Sequence, residues 1–197
     1  MTLFSYVVAR DYGFAPNPFG QCCTLATCKP DVRRFAQVGD WVVGTGSASN
    51  NRAGYLVYAM QVSETMTFDG YWNDPRFQYK RPSLEGSAKV AFGDNIYHRV
   101  DGGWAQADSH HSYEEGVPNI RNIRNDTRVD RVLIGRIFAY WGGNGPLIPA
   151  NLRSYEGHDL CIGRGYKRYF PAGMEACFVE WFSSLGATGY LGRPIDW

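Results

Sequence analysis

No stretch of this sequence approaches the roughly 20 consecutive apolar residues that a membrane-spanning helix requires, so no such helix and no membrane partner is expected. A strong charge of one sign is also missing. Twenty lysines and arginines against 19 acids leave a formal net charge of +1, which gives no global field for holding a polyanion. A base or a mononucleotide suits that balance better than a long nucleic-acid track. The cysteines at 22, 23, 28, 161 and 177 are odd in number and irregularly spaced, so they read as reduced thiols rather than a disulfide framework. The opening MTLFSYVVARDYG meets Arg10 and Asp11 too early for a secretory signal, and a cytoplasmic protein is the expectation. The GxxxxGK(S/T) order of a phosphate-cradling loop and the GxGxxG dinucleotide spacing are both absent. No internal repeat, linker or low-complexity segment divides the chain, which points to a single domain over 1–197.

What the sequence has in quantity is aromatic residues (15%) and glycine (23 residues), a composition that favours strands and turns. LFSYVVA at 3–9 reads as a buried strand, DWVVGTG at 40–46 as a second, and GYLVYAMQVSE at 54–64 as a long central one. VLIGRIFAY at 132–140 reads as a further strand. A helix is expected from Pro30 to before Gly39, with Val32, Phe35 and Ala36 inward. Another is expected from Ala172 to Leu185, with Met174, Cys177, Phe178 and Trp181 on one stripe. The segment around 71–73 is an aromatic excursion with at most a helical turn. Asparagine-rich 117–131 reads as a loop with at most a short turn, because Asn disfavours a helix interior. The sum is an α+β fold around a curved, mainly antiparallel sheet, with roughly six strands and two or three short helices.

The densest chemistry lies in FGDNIYHRVDGGWAQADSHHS, residues 92–112, which holds three of the four histidines. Asp101-Gly102 is a preferred type I′ dipeptide, since both positions tolerate positive φ. A turn there places Arg99 opposite Trp104, Tyr97 opposite Gln106 and Asn95 opposite Asp108. Faces alternate along a strand, so Asn95, Tyr97, Arg99, Trp104, Gln106 and Asp108 share one face, with His110 continuing it. That face is expected to be a binding surface. Ile96, His98, Ala105 and Ala107 form the other, expected to be core.

Six blocks occurring in order across nearly the whole chain, DYGFAPNP, LATCKP, GDWVVGTGS, DNIYHR, ADSHHS and DRVLIGRIFAYWGG, resemble the second numbered member of the nucleotide modification associated domain family. The resemblance implies a setting in DNA-base modification or modified-nucleotide handling. Within it, Val38-Gly39-Asp40 leading into WVVGTGS and then YLVYAMQVSETMTFDGYWNDPRF resembles PUA-like and EVE-like domains. That second likeness implies a small curved sheet or barrel that cradles a nucleobase.

Three functions are open at this point. The first is a nucleotide- or nucleobase-binding domain, reaching DNA through a flipped or modified base. Trp41, Trp72, Tyr97 and Trp104 would stack on the base, Asn73, Asn95 and Gln106 would read its edge, and Ser47 and His111 would complete the contacts. The second is an enzyme that transfers or hydrolyses a group on a nucleotide. Asp108 and His110 would form its acid–base pair, and Cys23, close to Lys29 and a helix start, its nucleophile. The third is an interaction subunit without a ligand. A shared metal is disfavoured, because His98 and His110 point to opposite hairpin faces, and no cofactor is named by the sequence.

Overall fold

A computed structural model describes residues 1–197. The strands are β1 Leu3–Val8, β2 Cys23–Leu25, β3 Trp41–Gly46, β4 Leu56–Gln61, β5 Glu64–Met66, β6 Tyr97–Val100, β7 Gly103–Gln106, β8 Val132–Gly135, β9 Ile137–Tyr140, β10 Tyr166–Lys167 and β11 Gly189–Tyr190. The helices are α1 Pro30–Phe35, α2 Phe68–Asn73, α3 Ala88–Ala91, α4 Ile120–Thr127, α5 Ala150–Arg153 and α6 Ala172–Ser184. The fold is therefore α+β, with more and shorter elements than the sequence suggests. The chain packs as two units: Met1–Asp11, Ala36–Ser63 and Gly135–Trp197 form one, while Tyr12–Phe35 and Glu64–Ile134 form the other.

The first unit is built on a six-stranded sheet in the order β10-β1-β3-β4-β9-β11. Its apolar runs in β1, β3 and β4 are buried almost throughout, as expected of central strands. β1 pairs parallel with β3 and β11 parallel with β9, and the other three pairings are antiparallel. The sheet ends at β10 and β11 without joining them, so the implied barrel does not close. Gly44 lets β3 and β4 approach, since a Cβ there would lie 2.3 Å from the Tyr58 ring. The hydroxyls of Tyr58 and Tyr6 meet at 2.8 Å inside this unit. α6 forms where expected and buries Met174, Phe178 and Phe182, a stripe at i, i+4 and i+8.

The second unit combines a three-stranded sheet, β2-β8-β5, with the β6–β7 hairpin and helices α1 to α4. Its core includes Phe14, Phe68, Tyr71, Phe77, Ile96 and Tyr97. Four expectations are corrected by the structure. VLIGRIFAY is two strands, β8 and β9, that serve different sheets, with the break at Arg136. Val62 and Ser63 likewise separate β4 from β5, which pairs with β8. Residues 120–127 are helical, not loop: the Asn119 side chain caps α4 by accepting from the Asn122 amide at 3.2 Å, and Ile123 and Asp126 are buried. In α1 the expected stripe is altered as well, because Phe35 is exposed while Arg33 is buried.

Candidate functional site

The hairpin register is the one the turn dipeptide dictates. Tyr97 pairs with Gln106, His98 with Ala105 and Arg99 with Trp104. Asp101 and Gly102 have φ of 49° and 79°, as a type I′ turn requires. Its faces are used differently from expectation. Asn95 and Tyr97 are fully buried and Gln106 nearly so, whereas Arg99 and Asp108 are exposed. The inner half of the polar face is thus turned into the core and met by protein groups. Asn95 donates to the carbonyls of Tyr71 and Phe77 at 3.0 and 3.2 Å. Gln106 donates to the Tyr97 hydroxyl and the His111 carbonyl.

That network leads to a thiol, an imidazole and a carboxylate in series. The Cys28 Sγ lies 3.7 Å from His111 Nε2, and His111 Nδ1 lies 3.0 Å from Asp126 Oδ2. A carboxylate only accepts, so the Nδ1 proton sits on the ring and Nε2 is the nitrogen turned to sulfur. Asp126 is fully buried and its two oxygens are saturated. Oδ1 accepts from the Cys28 amide at 2.9 Å and from Asn125, and Oδ2 accepts from Tyr97 and His111. The His111 carbonyl accepts from Gln106 at 3.1 Å and Asn122 at 2.9 Å, which fixes the ring at its backbone end. Cys28 itself has a left-handed backbone, φ 54°, as does Lys29, φ 38°, which separates it from α1.

Burial works to lower the His111 pKa, but the hydrogen bonds to Asp126 and Cys28, with the charges of both groups, outweigh it and raise it to about 9. Burial and the neighbouring Asp126 charge push the Tyr97 phenol well up, so it remains a proton donor to that carboxylate. The three side chains are also metal-ligand types with ligand atoms within 4.8 Å of one another. The imidazole turns opposite nitrogens to the thiol and the carboxylate, the order of a proton relay. Asp126 stands where an orienting carboxylate stands, behind the histidine.

The sequence-derived residues fall around this series in different ways. Cys23 is completely buried, and burial, only partly opposed by Lys80, raises its thiol pKa. A nucleophile requires the opposite, and Cys28 meets the same sequence criterion better, being next to Lys29 and two residues before the first residue of α1. Asp108 accepts from Ser112 Oγ at 2.9 Å. His110 is exposed and rests among Tyr12, Phe14 and Phe92 at ring separations of 4.6, 5.3 and 5.1 Å. β7 ends at Gln106 and the chain turns at Ser109–Ser112, so strand alternation does not extend to 110, and it is His111 that faces a carboxylate. Trp72 is stacked by His98 at 3.9 Å and covered by Arg81, while Trp104 carries Arg99 at 3.7 Å. Exposed Asn73 donates to the Asp69 carbonyl.

Trp41 and Ser47 belong to the first unit. Trp41 packs on Phe178 and Phe182 beside an apolar cavity of about 360 Å³. Ser47 caps the short turn at 48–50. Asp126 had one usable sequence signal, its place seven residues after an Asn cap, where helical spacing puts it on the inward face with Asn119, Asn122 and Ile123.

No helix is long and apolar enough to cross a membrane. No curated protein and no solved structure matches the chain. A family model described as nucleotide modification associated domain 2 matches residues 1–197, the whole length. The chain belongs to the nucleotide modification associated domain 2 family.

Proposed function

We propose that this protein transfers or hydrolyses a group on a nucleotide by covalent catalysis, with Cys28 as nucleophile, His111 as acid–base and Asp126 as the group that orients the imidazole. The observation that carries this reading is the unbroken series Cys28 Sγ, His111, Asp126 at 3.7 and 3.0 Å. It has the geometry of an activated nucleophile whose base is held by a third group. His111, with its pKa raised to about 9, is an imidazolium at neutral pH and favours the thiolate beside it.

The steps balance as follows. Cys28 attacks as the thiolate, with His111 already protonated at Nε2, and Sγ bonds to an electrophilic carbon of the substrate. The bond from that carbon to its leaving group breaks with its electron pair, and the Nε2 proton goes to the leaving group. Water, giving a proton back to Nε2, then attacks the same carbon and releases the Cys28 thiolate. A second nucleotide group in place of water gives transfer instead of hydrolysis. The aromatic cluster of Tyr12, Phe14, Phe92 and His110, next in sequence to His111, is where a base would be held.

The test is intact-protein mass spectrometry after incubation with a panel of unmodified and base-modified nucleotides, alone and within DNA. An added mass on the Cys28 peptide, or a changed nucleotide, that is lost in Cys28→Ser supports the reading. Calorimetric binding with no adduct and no changed nucleotide in any member of the panel would sink it and favour a recognition domain for modified bases, DNA included.

A further inference from the structure

The guanidinium of Arg33 is wholly buried, and its hydrogen-bond partners are all backbone carbonyls. Nε donates to the carbonyl of Cys28 at 3.0 Å, Nη2 to that of Asp126 at 2.6 Å, and Nη1 to those of Val129 and Arg131 at 2.7 and 2.6 Å. Two of these four carbonyls belong to the first and last members of the thiol–imidazole–carboxylate series. Cys28 and Asp126 are therefore joined twice, directly by the Cys28 amide on Asp126 Oδ1 and indirectly through Arg33.

We infer that Arg33 is a positioning residue for Cys28: it locks the left-handed turn that aims the thiol at His111 and supplies a buried positive charge beside the thiolate. This inference rests on the covalent-catalysis reading above. A left-handed non-glycine residue holds its shape only when its surroundings over-determine it. Here both backbone polar atoms of Cys28 are held, the amide by Asp126 and the carbonyl by Arg33. Closing the circuit from sulfur through His111 and Asp126 to the Cys28 amide fixes the sulfur–nitrogen separation without help from a substrate. A buried cation with no bidentate carboxylate is costly for a fold to keep, so its charge has a use as well as its donors. Burial lowers the Arg33 pKa to about 10, against the pull of Asp126 and Cys28, so the side chain is still a cation at neutral pH.

The experiment measures the rate of iodoacetamide labelling at Cys28 between pH 5 and 10, by peptide mass spectrometry, for the full chain and for Arg33→Lys and Arg33→Gln. Circular dichroism melts confirm which samples are folded, and urea-denatured protein gives the reference profile of a free thiol. The wild type is expected to label faster than that reference at pH 7. Folded Arg33→Gln should lose about tenfold at pH 7, and the conservative Arg33→Lys should recover part of that loss. Wild-type behaviour in folded Arg33→Gln would overturn the inference. So would failure of both variants to fold, which would assign Arg33 to the fold alone. If the wild type itself labels like denatured protein, the covalent-catalysis reading fails first, and that outcome is distinct from a variant that merely matches a fast wild type.

Discussion

His111 Nδ1 stands 3.0 Å from Oδ2 of Asp126, and that carboxylate is fully buried while the imidazole keeps a small exposed edge. The pair converts a helix read as loop and the second of two adjacent histidines into the best-oriented acid–base group in the second unit. Three measurements bear on the site and a fourth on the hairpin turn.

The pH dependence of stability follows from the raised His111 pKa. Its folded value is about 9 against an ordinary 6.5, so its protonated form is favoured by folding. The stabilisation is complete below about pH 6.5 and is lost as pH rises through about 9. Its full size is on the order of 3 kcal/mol. Urea midpoints of wild type and His111→Asn should lie furthest apart at pH 6 and converge by pH 10. A constant gap across that range would contradict the assignment.

Asp126→Asn keeps the volume of the side chain but removes the charge that offsets burial of His111. Burial alone lowers a histidine pKa. NMR titration of the variant should therefore find the His111 pKa lowered from about 9, with only the Cys28 contacts left to oppose burial. Stability should drop by about 3 kcal/mol, as for a buried pair deprived of one partner.

Cys28 and Cys23 should differ sharply as thiols. In folded protein near pH 7, iodoacetamide should label Cys28 at least about tenfold faster than Cys23, because thiolate character and access both favour Cys28. In 8 M urea the two rates should become equal. Preferential labelling of Cys23 in the folded state would reverse the roles assigned to them.

Gly102→Ala tests the hairpin turn on its own. Gly102 has φ 79°, and a Cβ there meets nothing within 4 Å. The substitution should cost about 1 kcal/mol from backbone conformation alone, seen as a lower melting temperature with unchanged Cys28 labelling.

The parts of the molecule legible in the sequence are those fixed by local chemistry. The Asp101-Gly102 dipeptide set the turn and thereby the pairing of Tyr97 with Gln106 and Arg99 with Trp104, because only a narrow set of residues accepts two successive positive φ angles. Apolar runs located β1, β3 and β4, and a stripe at helical spacing located α6. The ordered blocks indicated the family that the full-length match shows. α4 was hidden because helix propensity is a weak prior that an Asn cap and a buried Ile123 override.

The site depended on tertiary structure. Alternation along a strand predicts neighbours only while the strand lasts, and β7 ends at Gln106, so nothing local distinguishes His110 from His111. Cys28, His111 and Asp126 lie 83 and 15 residues apart in sequence, and burial of a charged Arg33 has no local signature at all. Local sequence dictates which backbone shapes are cheap. Which polar side chains lose water together, and so must satisfy one another, is decided only when distant segments pack.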